Sequence, residues 1–193
     1  MNRRRFLKQA GTALSVAAMG FPSLLLPRKK EVLGVALVGL GGYATGRLAP
    51  GLQQTEHCKL RGIVTGSPEK IPIWQERYGI PDQNVYSYET MHEVANNDDI
   101  DIIYVVTPPA LHAKYSIIGA EAGKHVWCEK PMAMNEEECL SIMEAADKNN
   151  VQLSIGYRMQ HEPNTQTIIR YGREKTYGSI ENVATGAGYN GAH

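Results

Sequence analysis

Val35-Ala-Leu-Val-Gly39-Leu-Gly41-Gly-Tyr-Ala44 begins as a buried strand and ends as the mouth of a helix. Residues 35–38 are apolar and partly β-branched, the composition of a strand inside a sheet, and the run stops at Gly39. Gly39-Leu40-Gly41-Gly42-Tyr43-Ala44 then spells G-x-G-x-x-A, and an apolar-periodic segment follows as far as Gln53. Strand, glycine turn and helix start are the context in which that spacing binds a dinucleotide. Gly39 permits the tight turn, and Gly41 lets the backbone approach a pyrophosphate. Ala44, with Gly46 behind it, lets the helix lie close on the strand. The pyrophosphate is then expected on the free N–H groups and positive dipole end of that helix. An ordinary strand–loop–helix would also tolerate glycines here; the strand before and the helix after favour the cofactor reading.

The bulk properties narrow the partners. At 193 residues the chain has room for one full domain and part of another. Its 20 basic and 20 acidic residues cancel, so the body of the chain carries no electrostatic case for nucleic acid or acidic lipid. Cys58, Cys128 and Cys139 form neither a disulfide framework nor a zinc pattern. Cys128 and Cys139 read as small apolar side chains on a strand and a helix.

Residues 1–30 stand apart from the fold. Arg3-Arg-Arg-Phe-Leu-Lys8 precedes a moderately apolar run over 10–26, and Pro27-Arg-Lys-Lys-Glu31 closes it. This layout resembles an export signal of the twin-arginine type, with a basic amphipathic arm as the alternative. Gly11, Thr12, Ser15, Gly20, Pro22 and Ser23 make the run a poor transmembrane helix. The mature protein is therefore expected off the membrane, in the periplasm or otherwise exported. The twin-arginine route carries folded proteins, which suits an enzyme that takes up a cofactor in the cytoplasm.

Past the fingerprint helix, residues 59–64 read as a second strand. An NAD site usually places Asp or Glu roughly 20 residues past the glycines, on the ribose 2′-hydroxyl. Here the strand ends in Thr65-Gly66-Ser67-Pro68-Glu69-Lys70. Small hydroxyl residues followed by Lys70 would admit and neutralise a 2′-phosphate, which favours NADP over NAD. Glu69 could still hold a ribose hydroxyl. The same turn reads as a helix start, with Ser67 as N-cap and Pro68 at the first helical position.

A helix is predicted over 68–78, ended by Gly79, then a short strand over 85–88 and a short helix over 90–96. The apolar run 100–106 is a parallel strand covered on both faces, ending at Thr107-Pro108-Pro109, where helix formation is blocked. A helix over 111–122 is capped by Gly123, and a strand over 124–128 delivers Glu129-Lys130-Pro131 at its carboxyl end. Asn135 and the acidic residues after it open another helix, and 151–156 is a sixth strand. A helix over 162–175 and a strand over 179–187 would begin a new sheet. Alternating strands and helices at this spacing mean an α/β fold, a doubly wound parallel sheet. Ligands of such sheets bind beyond the carboxyl strand ends, and 39–44, 65–70, 107–109, 129–131 and 157–158 all fall on that edge.

These residues together resemble the Gfo/Idh/MocA oxidoreductases, and within them the glucose–fructose oxidoreductase group. The matching pieces are the twin-arginine leader, VALVGLGGYA, GIVTGSPEK, VYSY, TPPALHAKY, AGKHVWCEKPMA and IGYRMQHEP, in that order. The likeness spans 33–188, with Pro109 standing where the nearest relatives tend to carry Asn. It implies a Rossmann NAD(P)-binding domain over 32–157 and, over 158–193, the start of an α+β substrate and oligomerisation domain, incomplete here. It also implies that Lys130 contacts the substrate hydroxyl and helps its proton leave as hydride passes to the nicotinamide. By the same likeness Glu129 contacts the nicotinamide ribose and Arg158 the nicotinamide region. Thr107, Pro108, Leu111 and His112 wall the cofactor, and Tyr88 lies near the adenosine end. His112 is equally readable as a packing residue at a helix start. The partner acid/base of such enzymes is not locatable in this chain.

The expected function is hydride transfer between NADP, or less favourably NAD, and a sugar or polyol. The whole protein is expected to be a homo-oligomer, and this chain to be cut short and to bind dinucleotide better than it catalyses. Three rivals stand beside that reading: an NAD-dependent glycosidase on the same fold, a non-catalytic nucleotide-binding module, and a dehydrogenase of a non-sugar carbonyl. The turn at 65–70 argues against the glycosidase.

Overall fold

The computed structural model describes residues 30–184. Residues 1–29, within the expected export leader, and 185–193, which include the end of the expected strand over 179–187, lie outside the described residues. Strands β1 (Leu33–Val38), β2 (Cys58–Val64), β3 (Val85–Tyr86), β4 (Ile102–Val105), β5 (His125–Cys128) and β6 (Leu153–Ile155) form one sheet in the order β3-β2-β1-β4-β5-β6. Every neighbouring pair is parallel. The chain winds outward from β1 to β3, then returns to β4 on the other side. This is the doubly wound order, with its switch point between β1 and β4.

Both faces of the sheet are covered, which is why β1 and β4 read as continuous apolar runs rather than alternating ones. Val35 and Leu37 face a cluster that includes Ala44, Ala49, Leu52 and Trp74. Ala36 and Val38 face the opposite cluster, with Met91, Val94, Ile103 and Tyr115. The alternation follows from the two-residue period of a strand. All of these β1 side chains are fully buried.

The fingerprint helix α1 runs through a π-type turn, Ala44–Leu48, into an α-helical piece, Ala49–Gln53. Pro50 has no N–H to donate into the ladder, and the N–H of Ala49 reaches five residues back to the Ala44 carbonyl. Ala44 is fully buried, as its packing role requires. Gly46 does not share that role. It is exposed, with open space where a Cβ would stand.

The helix after β2 starts as a 3-10 turn, Pro68–Lys70, and continues as α2 (Ile71–Tyr78). Gly79 closes it at φ +66° with its N–H on the Gln75 carbonyl. The expected Ser67 cap is corrected: its side chain makes no cap bond, and the Lys70 N–H takes the Ser67 carbonyl instead. β3 stops two residues short of the predicted end because Ser87 and Thr90 bond the local backbone. The Ser87 N–H donates to Thr90 Oγ1, and the Glu89 and Thr90 N–H groups to Ser87 Oγ. Such side chains compete with a strand ladder for the same groups. The segment Met91–Asn96 is accordingly a 3-10 helix.

α3 (His112–Glu121) follows a 3-10 turn, Pro109–Leu111, so the prolines delay the α-helix rather than block helical structure outright. α4 (Glu136–Lys148) has the predicted cap, with Asn135 Oδ1 accepting from the Glu138 N–H at 2.8 Å. Among the described residues, 179–184 contain no strand. A lone strand has no ladder partner to stabilise it. No helix of the described residues is long and apolar enough to cross a membrane.

α5 (Pro163–Glu174) is capped by a carboxylate. Glu162 accepts from the Thr165 N–H at 2.7 Å and the Asn164 N–H at 3.1 Å. Those bonds favour the charged form and hold its carboxyl below the usual range, the Thr165 amide first. A carboxyl whose folded pKa is lowered contributes stability above its unfolded value, about 4.3, and loses it as pH falls through the folded value. Backbone amide shifts of residues 163–167 are therefore expected to move toward random coil below about pH 4. The Glu162→Gln variant should show them already displaced at neutral pH.

Candidate dinucleotide site

The carboxyl strand ends meet along one edge, and the first turn is wedged among them. Gly39 adopts φ +98°. Its N–H donates to the Val64 carbonyl at 3.0 Å, and a Cβ there would stand 3.3 Å from the Thr107 nitrogen and from the Val106 carbonyl carbon. Gly41 and Gly42 are exposed, with open space beside them. The Thr45 N–H is the first to reach back along α1, to the Gly41 carbonyl. The N–H groups ahead of it lack an intrahelical acceptor, as at any helix start. Open space beside donor-rich backbone is the cradle a pyrophosphate needs.

The β2 end closes over this loop. Lys70 Nζ donates to the Leu40 carbonyl at 3.1 Å, placing a cation against the glycine turn. Thr65 is buried and its Oγ1 accepts from the Ser67 N–H at 3.1 Å. The Tyr88 ring lies on Gly66, where a Cβ would come within 3.1 Å of it. It also stacks on Tyr115 at 4.9 Å between centroids. Burial, then the neighbouring Tyr115, raises the Tyr88 phenol pKa.

Beyond the glycine turn, a cavity of about 530 Å³ opens over the ends of β4, β5 and β6. Tyr43, Thr107, His112, Glu129, Lys130 and Arg158, all singled out in the sequence, line it together. Glu129 is 9% exposed and accepts from the Tyr104 hydroxyl at 2.7 Å. Burial first, and then that bond, pushes the Tyr104 phenol pKa far up, so it stays a donor. Gly156 makes room for the carboxylate, since a Cβ there would fall 2.9 Å from Glu129 Oε1. Lys130 is exposed on the cavity wall. Below it, burial pushes the Cys128 thiol up to about 11, so this cysteine is an inert neutral packing group.

Pro108 and Leu111 are not on the cavity wall. Pro108 is exposed ahead of the 3-10 turn, and Leu111 packs on the apolar cluster beneath. Pro109 lines the cavity in their place, along with Val106, Gly156, Tyr157 and Met159. Met159 carried no signal. Gly156 ends the strand expected over 151–156, and Tyr157 falls on the carboxyl edge already singled out with Arg158. Among the described residues no cluster of His, Cys, Asp or Glu could hold a metal.

An all-parallel sheet in this order, with a glycine turn at its switch point, defines a dinucleotide-binding Rossmann domain. The model of the Gfo/Idh/MocA oxidoreductase family, NAD-binding Rossmann fold, matches residues 33–157, and the chain belongs to that family. It is 32% identical over 129 residues to the D-xylose 1-dehydrogenase [NADP(+)] of Haloarcula marismortui, covering 66% of this chain and 35% of that protein. A glycosyl hydrolase family 109 protein of Shewanella pealeana is 23% identical over 202 residues, covering 93% of this chain and 44% of its own. The crystal structure of aldose-aldose oxidoreductase from Caulobacter crescentus complexed with glycerol is 42% identical, with a TM-score of 0.72 over 74% of this chain and 43% of that one. The chain thus spans about a third to under half of the length of these relatives.

Proposed function

We propose that the whole protein is an exported NADP-dependent oxidoreductase that passes hydride between the nicotinamide and a sugar or polyol. The observation that carries this reading is the convergence of Lys70, the glycine turn and the Lys130 cavity on one sheet edge. The residues present fit a dinucleotide: the open cradle at Gly41 and Gly42 suits a pyrophosphate, and the cavity beside Tyr43 suits the nicotinamide end. A bound nicotinamide supplies the hydride acceptor or donor. Lys130 takes the proton of the substrate hydroxyl, and Glu129, held by Tyr104, orients the nicotinamide ribose. The chain's likeness to an NADP-dependent xylose dehydrogenase and to an aldose-aldose oxidoreductase supports the sugar or polyol substrate. The Arg-Arg-Phe-Leu-Lys pattern supports twin-arginine export to the periplasm, and we read the whole protein as a homo-oligomer.

Lys70 carries the preference for NADP. Its ammonium exchanges the Leu40 carbonyl for the 2′-phosphate, a charge-assisted contact of about 1.5–3 kcal/mol, or roughly 10- to 150-fold in affinity. Titration of the chain should show NADPH binding at least tenfold tighter than NADH, and Lys70→Ala should erase that difference while sparing NADH. Equal or tighter NADH binding by the unaltered chain would refute the NADP assignment.

The family 109 relative favours one further reading, glycosidic cleavage through transient hydride transfer. That reading requires tight NAD and predicts sugar release from a glycoside by the whole protein with no net cofactor turnover.

A further inference from the structure

His112 opens α3 with 1% of its surface exposed, wedged between the two turns that flank the cavity. Its Nδ1 lies 2.7 Å from the Pro131 carbonyl oxygen and its Nε2 2.8 Å from the Thr107 carbonyl oxygen. Carbonyl oxygens only accept, and a neutral imidazole has a single N–H. Whichever ring nitrogen carries the hydrogen, the ring is held between both carbonyls.

The sequence of the two turns explains why a side chain must do this. Thr107-Pro108-Pro109 and Lys130-Pro131 are poor in backbone donors, because proline has none. Each turn offers carbonyls to the other and little to pair them with. The Thr107 hydroxyl does not help, since its Oγ1 is buried without a partner.

We infer that His112 is a positioning residue, whose ring ties the Thr107 turn to the Lys130-Pro131 turn and sets the spacing of the cavity walls. Glu129 is the acidic group on the same cavity, and Lys130 and Arg158 are the basic ones. The inference rests on the proposed function only for the ligand's identity.

Two measurements on the full chain test it. In ¹⁵N-histidine-labelled protein, a His112 ring N–H should be strongly protected from solvent exchange, as a side chain held between two carbonyls requires. A ring N–H that exchanges as freely as an exposed histidine's overturns the tie, whether or not any dinucleotide binds. His112→Gln, which presents a single donor group, should weaken NADPH about five- to tenfold. It should leave 2′,5′-ADP, which lacks the nicotinamide half, unchanged. Equal weakening of both ligands, or of neither, overturns the positioning role. Failure of the unaltered chain to bind NADPH would instead strike the proposed function.

Discussion

Gly39→Val is expected to cost the chain its dinucleotide affinity by about ten- to hundredfold while the sheet remains folded. At φ +98° the backbone of residue 39 occupies a region that a β-branched side chain adopts only under strain. Holding it there costs on the order of 1–3 kcal/mol, equivalent to about 5- to 150-fold in binding. The new Cβ would also press on the Thr107 nitrogen at 3.3 Å and on Thr107 Cγ2 at 3.2 Å. The cheapest relief is to swing the 39–43 loop outward, away from β4. That movement takes the N–H groups at the mouth of α1 off the pyrophosphate position and carries Tyr43 away from the cavity. Titration with NADPH reads the loss, and an unchanged far-ultraviolet circular dichroism spectrum confirms that the sheet survives. Undiminished affinity would mean that the glycine turn is not where the phosphates lie.

Gly34→Ala should produce the larger loss of stability, although position 34 is remote from the cofactor edge. A Cβ on Gly34 would fall 1.8 Å from the Asp99 carbonyl oxygen and 3.1 Å from Arg61 Cγ. Neither neighbour can simply retreat. The Gly34 N–H donates to Asp101 Oδ2 at 2.8 Å, and the Asp101 N–H donates to the Gly34 carbonyl at 2.8 Å. The loop before β4 is thus clamped on β1 by its own hydrogen bonds. Relief requires breaking them or displacing β1, which is buried on both faces. Overpacking of this kind costs about 3 kcal/mol or more, a fall in melting temperature of about 10 °C for a domain of this size. Calorimetry on the two proteins decides it. A shift under about 2 °C would mean that the loop yields freely.

These two glycines mark what a sequence can and cannot disclose. Gly39 was legible because its role is local, a strand ending in a turn before a helix. Gly34 was not, because the atom that excludes a side chain there belongs to residue 99 and arrives only through tertiary packing. The same division runs through the site. Glu129 and Lys130 could be placed from the apolar strand that delivers them. Lys70 could be assigned to the cofactor edge, but its bond to the Leu40 carbonyl joins loops that only the parallel pairing of β1 and β2 brings together. His112 was readable as either a wall or a packing residue. Its two carbonyl partners, on turns after different strands, are what make it a tie between them. Ser87 and Thr90 shortened β3 by a local competition that propensity and periodicity do not register.

The nicotinamide end of a dinucleotide is expected to enter the cavity beside Lys130 with its pyrophosphate on the glycine turn. A crystal structure of the chain with NADPH tests that most directly. The pyrophosphate is expected against the backbone of 41–44, the 2′-phosphate within hydrogen-bond reach of Lys70 Nζ, and the nicotinamide ring between Tyr43 and Lys130. A dinucleotide bound elsewhere, or with its nicotinamide end turned away from Lys130, would contradict it.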